Sequence, residues 1–160
     1  MTSREKSEFI KRINLANKEC FRIPEDLHPE SCVRGVYGLF AVRNNEEIPF
    51  YIGKSNNIFL RMFSKNSHVY SYMRGVRKTD VHYMIERYLS QKYIIEIRIL
   101  KKVKYVGDAF EKDANRLAFA ELKELIKYQN MGFCLEQLSE AVKEKYERIE
   151  WESKYLISSE

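Results

Sequence analysis

The amino-acid sequence predicts an α/β (α+β) fold in which a small, mainly antiparallel sheet of three strands is flanked by helices. Residues 35–52 have the pattern of a β-hairpin, which supplies two of the strands. Residues 93–100 alternate apolar and charged side chains, as expected for a third, half-buried strand. Apolar residues recur at helical spacing in three further segments, which predicts helices at 2–19, 108–129 and 135–157.

The chain of 160 residues is long enough for one domain spanning residues 1–160, with the first and last helices as extensions. No apolar run approaches the roughly 20 residues of a membrane span, and the N-terminus lacks a hydrophobic signal region. Cys20, Cys32 and Cys134 form no Cys-x-x-Cys pair, which favours reduced thiols. We therefore expect a cytoplasmic protein without a membrane partner.

Positive charge is concentrated in the middle of the chain. Residues 54–104 contain 12 Lys and Arg against three Asp and Glu, whereas the whole chain has a net charge of +5. Tyr and Phe are interleaved with these basic residues, a combination that suits nucleic acid. A solvated basic surface without a partner is the alternative explanation.

The hairpin precedes this basic region, and we predict that its first strand is buried on both faces. Val36, Gly38, Phe40 and Val42 fall on one face of the strand that Gly35 opens, and Tyr37, Leu39 and Ala41 on the other, so both faces are largely apolar. We expect the turn at Asn44–Glu47, with Pro49 at the start of a short returning strand, Phe50–Ile52, that ends at Gly53. Antiparallel pairing then puts Tyr37 roughly opposite Tyr51 to Gly53.

A helix is predicted directly after the hairpin. Ser55 or Asn56 can cap it, and it runs through about Lys65. Arg61 and Lys65 are four residues apart and share an exposed edge of this helix. Residues 66–78 are basic and predicted to be irregular.

The helix at 108–129 carries a carboxylate on its apolar side. At 100° per residue Glu121 falls inside the apolar arc, between Leu117 and Leu125, whereas Glu124 lies on the edge of the arc. A carboxylate on an apolar face is costly unless it is paired or bound to a metal.

Taken together, these motifs resemble the GIY-YIG nuclease family. The two naming motifs correspond to Gly35-Val36-Tyr37 and Tyr51-Ile52-Gly53, in order on one hairpin. Arg61 follows at the distance expected for the helix arginine of the family, and Glu121 corresponds to its helical glutamate. The resemblance covers about residues 34–130 and implies a GIY-YIG-like core.

This resemblance implies a metal-dependent endonuclease, a hydrolase of phosphodiester bonds in DNA. Glu121 would hold a single Mg²⁺, for which Mn²⁺ is expected to substitute. One tyrosine, with Tyr37 favoured, would be the general base for the attacking water, and Tyr51 would position the water or the phosphate. Arg61 would pair with the phosphate oxygens, and Lys54 could assist it.

Four positions bear on how far the family pattern extends. Lys65 stands where the family often carries His or Tyr, one turn after the arginine. His68 is expected on an exposed loop, although it could supply a second proton carrier if that loop folds back. Asn130 is a candidate for the asparagine that often follows the family's glutamate, and Glu124 competes with Glu121 as that glutamate.

The terminal helices are too short to be separate recognition domains, which favours a standalone enzyme of restriction, phage or mobile-element type. Such an enzyme would contact DNA through its own basic segment, and the expected residues are Lys65, His68, Arg74, Arg77 and Lys78. Symmetric cutting of both strands would require two active sites and hence a homodimer. The apolar stripe of the helix at 135–157 could form that interface, although packing on its own core is the expected use.

Two other functions stay open at the level of sequence. The same fold could be a non-catalytic module that binds DNA or regulates another protein. RNA is a third possibility, although nothing in the sequence resembles an RNA-binding motif.

Overall fold

A computed structural model describes residues 1–139 and 141–156 and has a mixed α/β fold with a four-stranded open sheet. The elements are α1 (Ser3–Lys18), β1 (Phe21–Arg22), β2 (Gly35–Arg43), β3 (Glu46–Ser55), α2 (Ile58–Phe63), α3 (Val69–Met73), α4 (Asp80–Ser90), β4 (Ile94–Lys102), α5 (Phe110–Asn130) and α6 (Glu144–Tyr155). The strand order is β1-β4-β2-β3.

The expected count of three strands is wrong because β1 was not foreseen. It pairs in parallel with β4, with Phe21 opposite Ile95, while the other two pairings are antiparallel. A two-residue strand is too short to produce an alternating pattern, and the burial of Phe21 is the one feature that marks it.

The hairpin has the expected register but a longer second strand. Tyr37 pairs with Gly53, and only Asn44 and Asn45 lie outside the ladder at the turn. β3 begins at Glu46 rather than Phe50 because it is an edge strand, in which Pro49 lacks only a hydrogen bond that would point to solvent. A register shift between Leu39 and Phe40 accommodates the proline.

The prediction that the first hairpin strand is covered on both faces is confirmed. Tyr37, Leu39 and Ala41 contribute to a large core cluster that also contains residues of α1, α2, α3 and α4. Val36 on the opposite face packs with Ile52 of β3 and with α5 in a smaller cluster. The sheet therefore separates α5 from the layer that contains α1, α2, α3 and α4.

Local interactions set the helix boundaries. Thr2 and Glu5 form a capping box at the start of α1, the helix predicted at 2–19. The cap of α2 is Asn57 rather than the expected Ser55 or Asn56, and α2 ends at Phe63 rather than Lys65. The segment predicted to be irregular at 66–78 contains α3, a helix of five residues whose length is too short for a periodic signal.

The C-terminal helix is shorter than predicted. The described part of the segment after α5 is not helical until Glu144, and no described residue of α6 is buried. Leu135 is buried against the sheet, whereas Leu138, Ile149 and Leu156 are exposed, so the expectation that this helix packs on its own core is wrong. Homodimerisation through α6 stays a prediction.

Gln137, in the non-helical part of this segment, binds the edge of the sheet. Its side-chain oxygen accepts a hydrogen bond from the Ile52 amide at 2.7 Å, and its side-chain nitrogen donates to the Ile52 carbonyl at 2.7 Å. The amide group thus takes the place of a neighbouring strand on the open edge of β3. Residues Leu135 and Gln137 are thereby used to cover the sheet edge.

None of the helices in the described ranges is long and apolar enough to cross a membrane.

Replacing Gln137 with Ala should release the edge of β3. Loss of two hydrogen bonds that involve partly buried groups should lower the free energy of unfolding by about 1–3 kcal/mol. Amide hydrogen exchange at Ile52 should become faster, and urea unfolding measures the change in stability. The control is Glu136→Ala at the neighbouring exposed position, and equal behaviour of the two variants would contradict the pairing.

Candidate active site and an adjoining basic pocket

The ring of Tyr37 lies against Gly53, its partner across the hairpin. Tyr37 has no exposed surface, and a Cβ atom at Gly53 would lie 2.5 Å from the Tyr37 hydroxyl oxygen and 2.7 Å from Cζ. Such distances are shorter than van der Waals contact, so a larger residue at Gly53 would displace the ring. The glycine of the second motif thus provides the space for the tyrosine of the first.

His68 is buried beside Tyr37, so the expectation of an exposed loop histidine is wrong. Only 7% of its surface is exposed, and its Nε2 lies 2.9 Å from the Tyr37 hydroxyl. The chain folds back after α2, and the His68 amide donates to the Arg61 carbonyl at 3.1 Å. This fold-back is the alternative under which His68 could carry a proton.

Tyr51 completes a cluster of three rings. Its centroid lies 6.1 Å from that of Tyr37 and 5.3 Å from that of His68. Unlike Tyr37, Tyr51 is only partly buried and faces a pocket. Tyr51 is therefore the tyrosine whose side chain reaches the open site.

Burial keeps the Tyr37–His68 pair uncharged. It raises the pKa of Tyr37, to which Tyr51 adds, and the nearby Arg61 guanidinium offsets only part of this rise. Burial, together with the positive charge of Arg61 and a smaller contribution from His82, lowers the pKa of His68 to about 3. At neutral pH the phenol is consequently protonated and the imidazole is neutral.

The direction of the hydrogen bond between Tyr37 and His68 follows from the donors around it. A guanidinium can only donate, so Arg61 cannot accept the phenolic hydrogen of Tyr37. The Tyr51 hydroxyl and His68 Nε2, which lies at 2.9 Å, are the two possible acceptors, and we assign the imidazole because its nitrogen is the stronger acceptor. A neutral imidazole that accepts at Nε2 carries its hydrogen on Nδ1.

Four of the five predicted catalytic residues line one pocket of about 260 Å³, here called the catalytic pocket. They are Tyr51, Lys54, Arg61 and Glu121, and Ser55, Asn56 and Leu117 complete the lining. The fifth, Tyr37, is buried behind Tyr51. Glu121 comes from α5, some 60 residues further along the chain than the hairpin and α2, which supply the other three.

The other two candidates on α5 lie outside this pocket. The Glu124 carboxylate is 3.9 Å from the Lys127 ammonium group, and Asn130 is the exposed last residue of the helix. An asparagine that the sequence analysis considered only as a helix cap, Asn56, lines the pocket instead. The helical phase that favoured Glu121 over Glu124 therefore agrees with their positions.

Arg34 fixes Asn56 and α5 relative to each other. This buried arginine donates to the Asn56 side-chain oxygen and to the Asp113 carbonyl, each at 3.0 Å. Its guanidinium also stacks on Tyr105, 4.1 Å from the ring centroid. Nothing in the sequence distinguished Arg34 from surface arginines, so this contact was not predicted.

The residues of the catalytic pocket fit a divalent cation held by one carboxylate. The described residues contain no cluster of three or more His, Cys, Asp or Glu side chains that could hold a metal. Glu121 is the one carboxylate among the described residues that line this pocket, and Mg²⁺ commonly takes one or two carboxylates together with water and substrate phosphate. The cations Lys54 and Arg61 line the same pocket and favour entry of a metal together with an anion.

A second pocket of about 510 Å³, here called the basic pocket, adjoins the catalytic pocket and shares Arg61 with it. Four of the five residues expected to contact DNA line it: Lys65, His68, Arg74 and Lys78. Arg77 does not, because its guanidinium lies 3.6 Å from the centroid of the Tyr72 ring and 3.3 Å from the Glu86 carboxylate.

Comparison with known proteins returned no relative. No protein-family model, curated protein or solved structure matches the chain. Any function must therefore be argued from the motifs and geometry of this chain.

The buried neutral His68 predicts a pH dependence of stability. The unfolded chain takes up a proton on this residue near pH 6.5, and the folded chain does so only near pH 3. Unfolding therefore binds a proton between these values, and stability falls as the pH decreases, by up to about 1.4 kcal/mol per pH unit. His68→Gln should show a shallower slope in urea unfolding measured from pH 7 to pH 4.

The control for this measurement is His28→Gln, which removes an exposed histidine. Wild type and this control should share one slope. If His68→Gln also retains that slope, His68 is not buried in its neutral form.

Proposed function

We propose that this protein is a metal-dependent endonuclease of the GIY-YIG type that hydrolyses phosphodiester bonds in DNA. The observation that carries the proposal is the shared lining of the catalytic pocket. Tyr51, Arg61 and Glu121 were selected from sequence motifs that lie up to 70 residues apart, and all three border the same polar cavity. Three unrelated structural residues would have no reason to converge in this way.

The charges of the pocket suit a phosphodiester group. The Arg61 guanidinium offers two parallel donors to phosphate oxygens, and Lys54 adds a second positive charge. Glu121 would hold Mg²⁺ or Mn²⁺. When bound, this metal would stabilise the negative charge that develops on the phosphate and the leaving oxygen.

Two tyrosines and His68 provide a route for the proton of the attacking water. Tyr37 was favoured as the general base, but its complete burial and raised pKa make direct contact with water unfavourable. Tyr51 faces the pocket and is the better candidate to accept that proton. In this route Tyr51 passes its own phenolic proton to Tyr37, and Tyr37 passes its own to His68 Nε2.

This relay leaves neither phenol charged, so the raised pKa of Tyr37 does not prevent it. The water oxygen forms a bond to phosphorus while the bond from phosphorus to the leaving oxygen breaks. His68 ends with the proton, and the negative charge of the bound phosphate raises the pKa of this imidazole from its low resting value. The substrate itself thereby makes His68 a better acceptor.

Replacing Glu121 with Gln tests the metal-dependent reaction. Wild-type protein should cleave plasmid DNA in Mg²⁺ or Mn²⁺, and chelator should abolish cleavage. Glu121→Gln keeps the size of the side chain but loses the charge, so cleavage should fall by at least about a hundredfold while binding of DNA persists. Rates come from single-turnover plasmid nicking, and binding from fluorescence anisotropy in chelator.

Glu124→Gln, three residues away on the same helix, is the matched control and should cleave at the wild-type rate. Loss of cleavage in this variant alone would assign the metal ligand to Glu124. Wild-type protein that binds DNA but leaves it intact at every metal concentration would instead be a non-catalytic binding module. Parallel digestion of RNA identifies the preferred substrate.

The two tyrosines should be distinguishable from core aromatics by removing only their hydroxyl groups. Tyr51→Phe and Tyr37→Phe should each lower the rate of the cleavage step by about 10²–10⁴-fold, the usual contribution of proton transfer, with little change in DNA affinity. Tyr93→Phe, which removes a hydroxyl bonded to Glu46 away from both pockets, is the control. Wild-type cleavage by Tyr37→Phe would show that this residue only fills the core.

A further inference from the structure

The basic pocket combines positive charge with a wall that is already organised. Four of its lining residues are cations (Arg61, Lys65, Arg74 and Lys78), and none of its described lining residues is acidic. The N-terminus of α4, at Thr79, also borders it and adds the positive end of a helix dipole. An anionic ligand is therefore the chemistry that this cavity favours.

The polar groups at the back of the pocket are satisfied by one another. The Ser71 hydroxyl donates to the Lys65 carbonyl at 2.6 Å and accepts from the Ser67 amide at 2.9 Å. The His82 Nδ1 accepts from the Lys78 and Thr79 amides, which leaves its Nε2 as the donor to the Ser67 carbonyl at 3.1 Å. This network holds the wall in place before any ligand enters.

The exposed rim supplies the remaining contacts. Three of the lining cations, Lys65, Arg74 and Lys78, are exposed to solvent. Arg74 also donates to the Lys65 carbonyl at 3.1 Å, which ties the segment after α2 to the end of α3. Ligand binding would thus order only the exposed cationic side chains, because the wall at the back of the pocket is already in place. This lowers the entropy cost of binding a phosphate.

Arg61 connects this pocket to the catalytic pocket, because it is a lining residue of both. A ligand in the basic pocket would therefore be next to a phosphate in the catalytic pocket. A volume of about 510 Å³ is in the range of sites for small organic ligands and exceeds the need of a phosphate alone. A phosphate together with its sugar matches both the charge and the size.

We propose that the basic pocket holds the nucleotide unit adjacent to the scissile phosphate on the cleaved strand, with Lys65, Arg74 and Lys78 around its phosphate. This proposal rests on the proposed nuclease function. It assigns the pocket to substrate positioning: the second phosphate fixes the direction of the strand, so that the first meets Arg61 and Glu121 in one orientation.

Thymidine 3′,5′-bisphosphate is a suitable probe because it carries two successive phosphates on one nucleoside. Calorimetric titration in chelator measures its binding without cleavage, beside thymidine 5′-monophosphate and inorganic phosphate. Wild-type protein should bind the bisphosphate at least tenfold more tightly than either single phosphate. The double variant Lys65→Gln/Lys78→Gln should lose this tenfold advantage.

The matched control is Lys11→Gln/Lys145→Gln, which removes two positive charges from exposed positions that line neither pocket. It should retain the wild-type preference. Equal affinity of wild type for bisphosphate and inorganic phosphate would identify a simple anion site and overturn the proposal. Unchanged bisphosphate binding by Lys65→Gln/Lys78→Gln would overturn it as well.

Plasmid cleavage separates failure of this proposal from failure of the nuclease function. If wild type cleaves and the bisphosphate preference is absent, the nuclease stands and the adjacent-nucleotide site is wrong. If wild type does not cleave but the preference depends on Lys65 and Lys78, the pocket binds a nucleotide and the nuclease function is wrong. With both intact, the Lys65→Gln/Lys78→Gln variant should show a raised KM and a salt dependence reduced by about two counterions.

Discussion

The absence of a side chain at Gly53 is the constraint on which the geometry of the site depends. With only a hydrogen at this position, the Tyr37 ring lies against the second hairpin strand, and its hydroxyl oxygen is 2.5 Å from where a Cβ would stand. That placement carries the Tyr37 hydroxyl to His68, and it puts Tyr37 behind Tyr51. The register of the hairpin, with Tyr37 opposite Gly53, is therefore a chemical requirement as well as a topological one.

The position of the Glu121 carboxylate depends on a different set of contacts, because α5 packs on the other face of the sheet. Arg34 links the end of the hairpin to the first turn of α5 through Asn56 and the Asp113 carbonyl. Gln137 covers the edge of β3 at Ile52, beside Tyr51. Hydrogen bonds from a charged donor such as Arg34 contribute about 1.5–3 kcal/mol each. The contacts of Arg34 and Gln137 thus hold α5 and the hairpin in one arrangement around the catalytic pocket.

Periodic patterns allowed the sequence to predict the hairpin register and the side of α5 that carries Glu121, because both follow from repeating geometry. The burial of His68 could not be predicted in this way. It depends on a fold-back between two helices of six and five residues, which are too short to be periodic. The exposure of α6 was not predicted either: its apolar spacing suggested a buried face, but the buried Leu135 precedes α6 and none of the described residues of α6 is buried. A local apolar pattern shows which face of a helix could be buried, whereas tertiary packing decides whether that face is buried.

In the proposed reaction, the same fold-back would couple binding of substrate to transfer of the proton. Without an anion, Arg61 and burial keep His68 neutral, with a pKa of about 3, and the hydrogen bond to Tyr37 keeps the phenolic proton on oxygen. A phosphate that pairs with Arg61 compensates the charge that had opposed protonation of the imidazole. Since Arg61 borders both pockets, a strand that occupies them would bring this compensation at the moment when the scissile phosphate is aligned. The arginine therefore has two effects in the proposed reaction, one on the phosphate and one on the acceptor of the proton, and only a correctly bound strand produces both.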